Sequence, residues 1–251
     1  MRSNLPVPAR ALAVAAHPDD VEFGCGGTLA KWAASGCEIF HLVCTDGSKG
    51  TWDPAQDPAE LVVTRRREQR SASRSLGGKG DVTFLGWPDG ELESGLRQRF
   101  EVASCIRRLK PEVVLGHDPW KRYRLHPDHR NAGFLVTDGI VAARDPLFFP
   151  ELGDAPHRPA TLLLFEADEA DHLEDVTGFV DAKLAALLEH RSQFRSTMGI
   201  AETSAAGGRG DEESENPEVV DFRRRVCDRL AEHGRKGDFA AAEPFKRIDD
   251  L

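Results

Sequence analysis

The chain alternates short aliphatic and β-branched runs with longer stretches of helical pattern, and this alternation restricts it to a mostly parallel sheet flanked by helices. Residues 11–16 (ALAVAA) read as a first buried strand, 38–44 (EIFHLVC) as a second and 81–85 as a third. Residues 112–116 (EVVLG) read as a fourth and 161–165 (TLLLF) as a fifth. Helical patterns cover 24–35, 60–76, 95–110, 128–143 and 176–190; a further helix over 219–233 and a tail ending EPFKRIDDL follow. Gly36 and the pair Gly77-Gly78 stop the first two helices as C-caps do, and Pro111 breaks the third. The expected fold class is therefore α/β, in three layers.

A chain of 251 residues holds one large core of this kind, so a single domain over 1–251 is expected. Residues 203–217 (TSAAGGRGDEESENP) carry too little apolar surface to order themselves and read as a mobile loop, either a lid over the crevice or a solvated insertion. The 33 basic against 42 acidic residues leave a net charge of −9, which gives no basis for a nucleic-acid or anionic-membrane partner. No apolar stretch is long enough to span a bilayer, and the N-terminal run lacks a cleavage pattern. The five cysteines contain no C-x-x-C pair and read as reduced thiols in a cytoplasmic protein. A metal site must then draw on histidines and carboxylates.

In an open α/β sheet, function collects at the carboxyl ends of the strands. His17-Pro18-Asp19-Asp20-Val21-Glu22 follows the first strand directly, and His117-Asp118-Pro119 follows the fourth, leading into Tyr123-Arg124-Leu125-His126-Pro127-Asp128-His129. Two clusters of His and Asp thus face each other across the crevice. His17 and Asp20 are three apart, one helical turn, as are His126 and His129. A set of two histidines and one aspartate leaves a coordination position open, as catalytic zinc requires. The residues alone leave open which of Asp19 and Asp20 is the ligand. Gly24, Gly26 and Gly27 could suggest a dinucleotide loop, but they follow an acidic cluster that a pyrophosphate would meet; close packing of helix on sheet is the better reading.

AHPDDVEFGCGGT and HPDHRNAG resemble, in order, the two signatures of the LmbE-like, or PIG-L, family of N-acetylglucosaminyl deacetylases. CTDGSKG, Arg65-x-x-Glu68, FLGWPDG, PEVVLGHDP, DVTGFVDAKLAALLEHRSQF and AAEPFKRI extend the resemblance over nearly the whole chain outside 203–217. It implies a Rossmann-like domain with one divalent metal per chain, zinc or iron(II), held by His17, Asp20 and His129. It also implies Asp19 as general base, His126 as oxyanion stabiliser and Asp128 as the group that holds the His126 ring in its tautomer. Arg65 and Asp89 match residues that contact sugar hydroxyls. Some members carry a tyrosine where this chain has Arg124, which is read here as polarising the carbonyl, as gripping an anionic part of the substrate, or as a solvated surface arginine.

The chemistry agrees with these roles. Bound zinc lowers the pKa of its water to about 7. A neighbouring carboxylate takes the second proton and returns it to the departing amine, and protonated His126 supplies positive charge to the developing oxyanion. Glu22 and His117 read as groups behind the ligands, and His190 as loop packing. The expected substrate is an N-acetylated amino sugar conjugate or related small amide, with a larger acyl group on a thiol or antibiotic conjugate as the alternative. A homo-oligomer is left open. From another class, two histidines and a carboxylate also make the facial triad of non-haem iron oxygenases, but those are usually all-β barrels. A silent, binding-only member would have lost Asp19 first.

Overall fold

The computed structural model describes residues 1–201 and 216–251. In chain order the elements are β1 (Arg2–Ser3), β2 (Arg10–Ala15), α1 (Asp20–Ala34), β3 (Glu38–Thr45), α2 (Pro58–Ser75), β4 (Val82–Trp87) and α3 (Leu96–Leu109). They continue with β5 (Val113–His117), α4 (Pro127–Arg144), β6 (Thr161–Phe165), β7 (His172–Asp175), α5 (Val180–Leu188), α6 (Pro217–Gly234) and β8 (Ala242–Asp249). The strands form one eight-stranded sheet in the order β1-β7-β8-β6-β5-β2-β3-β4. All its pairings are parallel except those of β8, which runs antiparallel between β6 and β7. The strand order reverses between β2 and β5, and that switch point is where the crevice of a doubly wound sheet opens.

The period-2 alternation of β2 sorts its side chains onto two cores. Ala11, Ala13 and Ala15 pack with Val21, Cys25 and Leu29 of α1, Ala72 of α2 and Ala186 of α5. Leu12 and Val14 pack with Val102 and Ile106 of α3 and Leu135 and Val136 of α4 on the opposite face. The small residues on the first face let α1 lie close to the sheet. A Cβ added at Gly24 would stand 2.6 Å from the Phe165 ring, so this glycine is demanded by packing.

Three helices start in one way. Asp57-Pro58, His126-Pro127 and Asn216-Pro217 each place proline at the first helical position, where its missing N–H is no loss, and a side-chain acceptor at the N-cap. Helix α1 differs. It begins at Asp20, four residues before the position read from the sequence, and it breaks at Cys25 (φ −148°, ψ 19°). The Glu243 carboxylate of β8 accepts from Gly27 N at 2.9 Å and Thr28 N at 2.8 Å, and so caps the second half of the helix.

Strands β7 and β8 were not expected from the sequence. Pro244 and the charges Glu243, Lys246, Arg247 and Asp249 argue against an interior strand. The cost of burying Glu243 is offset by Lys183, whose Nζ donates to it at 2.6 Å, and by the cap it makes on α1. The helix read over 176–190 is shorter, Val180–Leu188, because the chain is still turning out of β7. Strand β4 runs on to Trp87 past Gly86, which takes a positive φ of 75° beside a register shift against β3. Of the loop read over 203–217, residues 203–215 lie outside the described residues, while Asn216 and Pro217 open α6. No helix among the described residues is long and apolar enough to cross a membrane.

Candidate active site

The ends of β2 and β5 deliver the two halves of the site to the switch point. After Ala15 the chain turns through His17-Pro18-Asp19 into α1, and after His117 it loops out to return at the N-terminus of α4 with His126, Asp128 and His129. His17 Nδ1 lies 3.2 Å from His129 Nε2 and 3.5 Å from Asp20 Oδ2, and His129 Nε2 lies 3.3 Å from Asp20 Oδ1. Two ring nitrogens and the Asp20 carboxylate therefore converge on one point. A tetrahedral ion with bonds of about 2.0–2.1 Å has edges of about 3.3–3.4 Å, so the donor set fits a small divalent cation.

The surroundings orient these donors. His17 Nε2 faces Asp128 Oδ2 at 3.1 Å and Asp89 Oδ1 at 3.2 Å, which holds a proton on Nε2 and turns Nδ1 toward the other two groups. Asp128 Oδ2 also accepts from Gly90 N at 2.6 Å, and its Oδ1 accepts from Leu92 N at 3.2 Å. His117 Nε2 is 3.1 Å from Asp20 Oδ2, its Nδ1 is 3.2 Å from Glu166 Oε2, and its ring stacks on His129 with centroids 4.4 Å apart. Burial alone would lower the pKa of His17, but Asp128, Asp20 and Asp89 lift it well above the usual histidine range. Burial would raise Asp20, yet His129 and His117 hold it well below the usual carboxylate range. The field of the cluster favours added positive charge.

The adjacent carboxylates diverge. Asp19 takes the left-handed conformation (φ 98°, ψ −27°), which turns its side chain away from that of Asp20. Its Oδ2 lies 3.6 Å from Arg65 Nη2, and burial raises its pKa to about 6 against the pull of that guanidinium. A carboxylate near this value exchanges protons readily at neutral pH.

Other residues stand differently from the sequence reading. The Asp128 carboxylate holds His17 and not His126; what meets His126 Nδ1 is the Asp128 main-chain N–H, at 3.3 Å, because His126 is the N-cap of α4. His126 lies exposed at the mouth of the site, and its pKa is lowered by partial burial and by His17 and His129. With Nδ1 taken by the Asp128 N–H, Nε2 is the ring nitrogen left to carry a proton toward the crevice. Arg65 donates to Pro18 O at 2.6 Å and Gly47 O at 2.9 Å, so its terminal nitrogens already tie two loops together. Asp89, only 5% exposed, bonds Lys49 N as well as His17. The Arg124 side chain is 6% exposed and donates to Glu166 Oε2 at 2.7 Å, with Nη1 3.2 Å from His129 Nδ1. It backs the ligands and does not reach the mouth, because Glu166 outcompetes solvent for the guanidinium.

Glu166 escaped the sequence reading, although the strand-end rule that found His17 applies to the residue directly after β6. Burial would raise its carboxyl, but His117 and Arg124 bring it down to about 2. Gln69 escaped as well: an isolated glutamine in the middle of an arginine-rich helix carries no signal. Its Oε1 accepts from Asp19 N at 2.9 Å.

Residues 12–140 match the family model described as PIG-L, GlcNAc-PI de-N-acetylase. The chain belongs to the PIG-L family. It is 35% identical over 188 residues to the diacetylchitobiose deacetylase of Thermococcus kodakarensis, covering 74% of this chain and 70% of the relative. With the 1D-myo-inositol 2-acetamido-2-deoxy-α-D-glucopyranoside deacetylase of Actinosynnema mirum it shares 31% identity over 75% of this chain and 82% of the relative. Its fold superposes on the N,N′-diacetylchitobiose deacetylase of Pyrococcus horikoshii with a TM-score of 0.81, at 28% identity, over 96% of this chain and 84% of that one. The PIG-L match runs from β2 into α4, and so takes in both halves of the cluster.

Proposed function

We propose that this PIG-L protein is a metal-dependent N-deacetylase that hydrolyses the acetamide of a small N-acetylated amino sugar. The observation that carries the reading is the convergence of His17 Nδ1, Asp20 and His129 Nε2 at 3.2–3.5 Å beside Asp19. Relatives named for the same reaction support it, one acting on diacetylchitobiose and one on an N-acetylglucosaminyl inositol. We assign zinc to the three donors, since a set of two imidazoles and one carboxylate is that of catalytic zinc sites.

A divalent ion at these donors supplies the Lewis acidity that makes water nucleophilic near neutral pH. Asp128 and Asp89 fix the His17 ring, and His117 fixes the Asp20 carboxylate. Asp19, with a pKa near 6, takes the proton of the attacking water and returns it to the departing amine. The His126 ring donates its Nε2–H to the developing oxyanion. Arg65 holds Asp19, and the exposed side of the crevice between His126 and Asp89 receives the sugar.

The test is incubation of zinc-loaded protein with N,N′-diacetylchitobiose and with N-acetylglucosaminyl inositol, following acetate and new primary amine in equal amounts. Release of both from either compound, abolished by chelation, is expected. Turnover of neither, or amine release unaffected by chelator, refutes the proposal.

A further inference from the structure

Behind the site lies a second polar network that touches none of the three converging donor atoms. Gln69 Nε2 donates to Glu22 Oε1 at 2.8 Å, and His190 Nε2 faces Glu22 Oε2 at 3.2 Å. Glu22, Gln69 and His190 are all 0% exposed. Among the described residues, the hydrogen bond that joins this network to the catalytic loop runs from Asp19 N to Gln69 Oε1.

That link sits at the one strained residue of the loop. Asp19 is not glycine, yet its φ is 98°, a conformation that persists only where the surroundings over-determine it. This turn separates two adjacent carboxylates, sending Asp20 to the donor cluster and Asp19 to Arg65. Helix α2 grips the turn with two side chains four residues apart, hence on one face. Arg65 binds Pro18 O, and Gln69 binds Asp19 N–H. A glutamine amide is nearly symmetrical and could present either end. Glu22 decides: an ionised carboxylate only accepts, so Nε2 must face it and Oε1 must face Asp19. His190 occupies the other Glu22 oxygen and keeps that carboxylate in place.

We propose that Gln69 is a positioning residue for Asp19, its amide locking the left-handed turn of the base while Glu22 and His190 fix the direction in which the amide faces. This rests on the reading of Asp19 as the general base. A base held out of position by about 1 Å loses on the order of 100-fold in rate, so the network is tied to turnover and not to binding.

The experiment is a double-mutant cycle on the zinc-loaded full chain with N,N′-diacetylchitobiose, using Gln69→Met, which keeps volume and removes the hydrogen bonds of the amide to Asp19, Glu22 and His41, and Asp19→Asn. Gln69→Met lowers kcat roughly 10–100-fold, leaves KM within about twofold and keeps the zinc stoichiometry. In the Asp19→Asn background the same change has almost no further effect, because the group it positions no longer acts as a base. Amide exchange supplies a readout independent of turnover: the Asp19 N–H is protected in the parent chain and exposed in Gln69→Met. If Gln69→Met does not fold, Glu22→Gln runs the same cycle with a smaller loss, since it frees the amide to flip. Equal fold losses in both backgrounds, an unchanged kcat in Gln69→Met, or Asp19 exchange that is fast in the parent overturns the positioning role. Full activity in Asp19→Asn alone overturns the base assignment and the present inference with it.

Discussion

Two polar clusters in this molecule both set histidine against carboxylate, and they have opposite design. At the switch point, His17, His129, Asp20, Asp89 and Asp128 gather between β2 and α4. At the far edge of the sheet, His172, Glu174 and Lys31 gather where β7 and β1 meet. In the edge cluster both oxygens of the carboxylate have their donors: Glu174 Oε1 takes His172 Nε2 and Leu5 N, both at 2.7 Å, and Oε2 takes Lys31 Nζ at 2.5 Å. At the switch point His17 Nε2 is directed outward to Asp128 and Asp89, while His17 Nδ1, His129 Nε2 and the Asp20 carboxylate face one another. Buried histidine and carboxylate do not in themselves make a site. Nitrogen and oxygen atoms that converge at the spacing of a metal's ligands do.

The comparison predicts its largest effect for the loss of either imidazole ligand. His17→Ala or His129→Ala should cut activity by about 10³-fold or more and bring zinc, measured by elemental analysis, from about one per chain to near zero. Chelation of the parent protein should do the same reversibly. A metal-free preparation with full turnover would place the switch-point cluster beside the edge cluster as scaffolding.

Next comes the division of labour between neighbours. Asp19→Asn should keep the metal and lower kcat by about 10²–10⁴-fold, the range spanned by general acid–base catalysis. Asp20→Asn should instead weaken metal retention, since Asp20 lies at 3.3 Å from His129 Nε2 and Asp19 faces Arg65. The reversed pattern in metal analysis would exchange their roles.

The edge cluster should respond only in stability. Burial would raise the Glu174 carboxyl, but His172, Lys31 and Leu5 N hold it below the usual glutamate value. A carboxyl whose pKa is depressed on folding contributes stability above its unfolded pKa and loses that contribution as pH falls through the folded value. Glu174→Gln should therefore cost about 2–3 kcal/mol at neutral pH, and less as the pH is taken below 4, where the parent loses the same contribution. Denaturant titrations at pH 7 and pH 3.5 measure this; kcat and zinc content should not change. A loss of zinc in this variant would join the two clusters and break the comparison.

The sequence made one of these clusters legible and hid the other for physical reasons. The His-Asp segments 17–20 and 126–129 could be read because a strand end fixes where a side chain goes and because His-Pro-Asp stiffens the loop, while the choice of Asp20 over Asp19 came only from the family resemblance. Glu166 obeys the same rule and was readable in principle. Gln69 and Glu174 were not, since each owes its role to a partner distant in the chain: Gln69 lies 50 residues from Asp19, and Glu174 lies 143 from Lys31. Strand β8 was hidden likewise. Its Glu243 and Pro244 make sense only once α1 and Lys183 are in place to receive them.

The smallest expected effect concerns Arg124, and it separates a group that backs the ligands from one that grips substrate. The sequence places Arg124 two residues before His126, a position that invites a role at the mouth. In the fold its guanidinium is turned inward to Glu166 Oε2, while Nη1 approaches the Nδ1 atoms of His129 and His117 at 3.2 and 3.3 Å. Nε and Nη2 have no hydrogen-bond partner among the described residues, so the group is held by charge more than by a full set of bonds. Its positive charge lies on the outer side of the ring whose Nε2 faces the donor cluster. Removal should loosen Glu166, and with it His117 and the Asp20 carboxylate that His117 orients. Arg124→Gln should then weaken zinc affinity about tenfold, the lower end for a partner of a ligand, while KM at saturating zinc stays within about twofold. Competition with a fluorescent chelator reads the first quantity and steady-state kinetics the second. A KM raised tenfold with zinc affinity unchanged would mean that the side chain swings out to the substrate in solution, and would move Arg124 from the back of the site to its mouth.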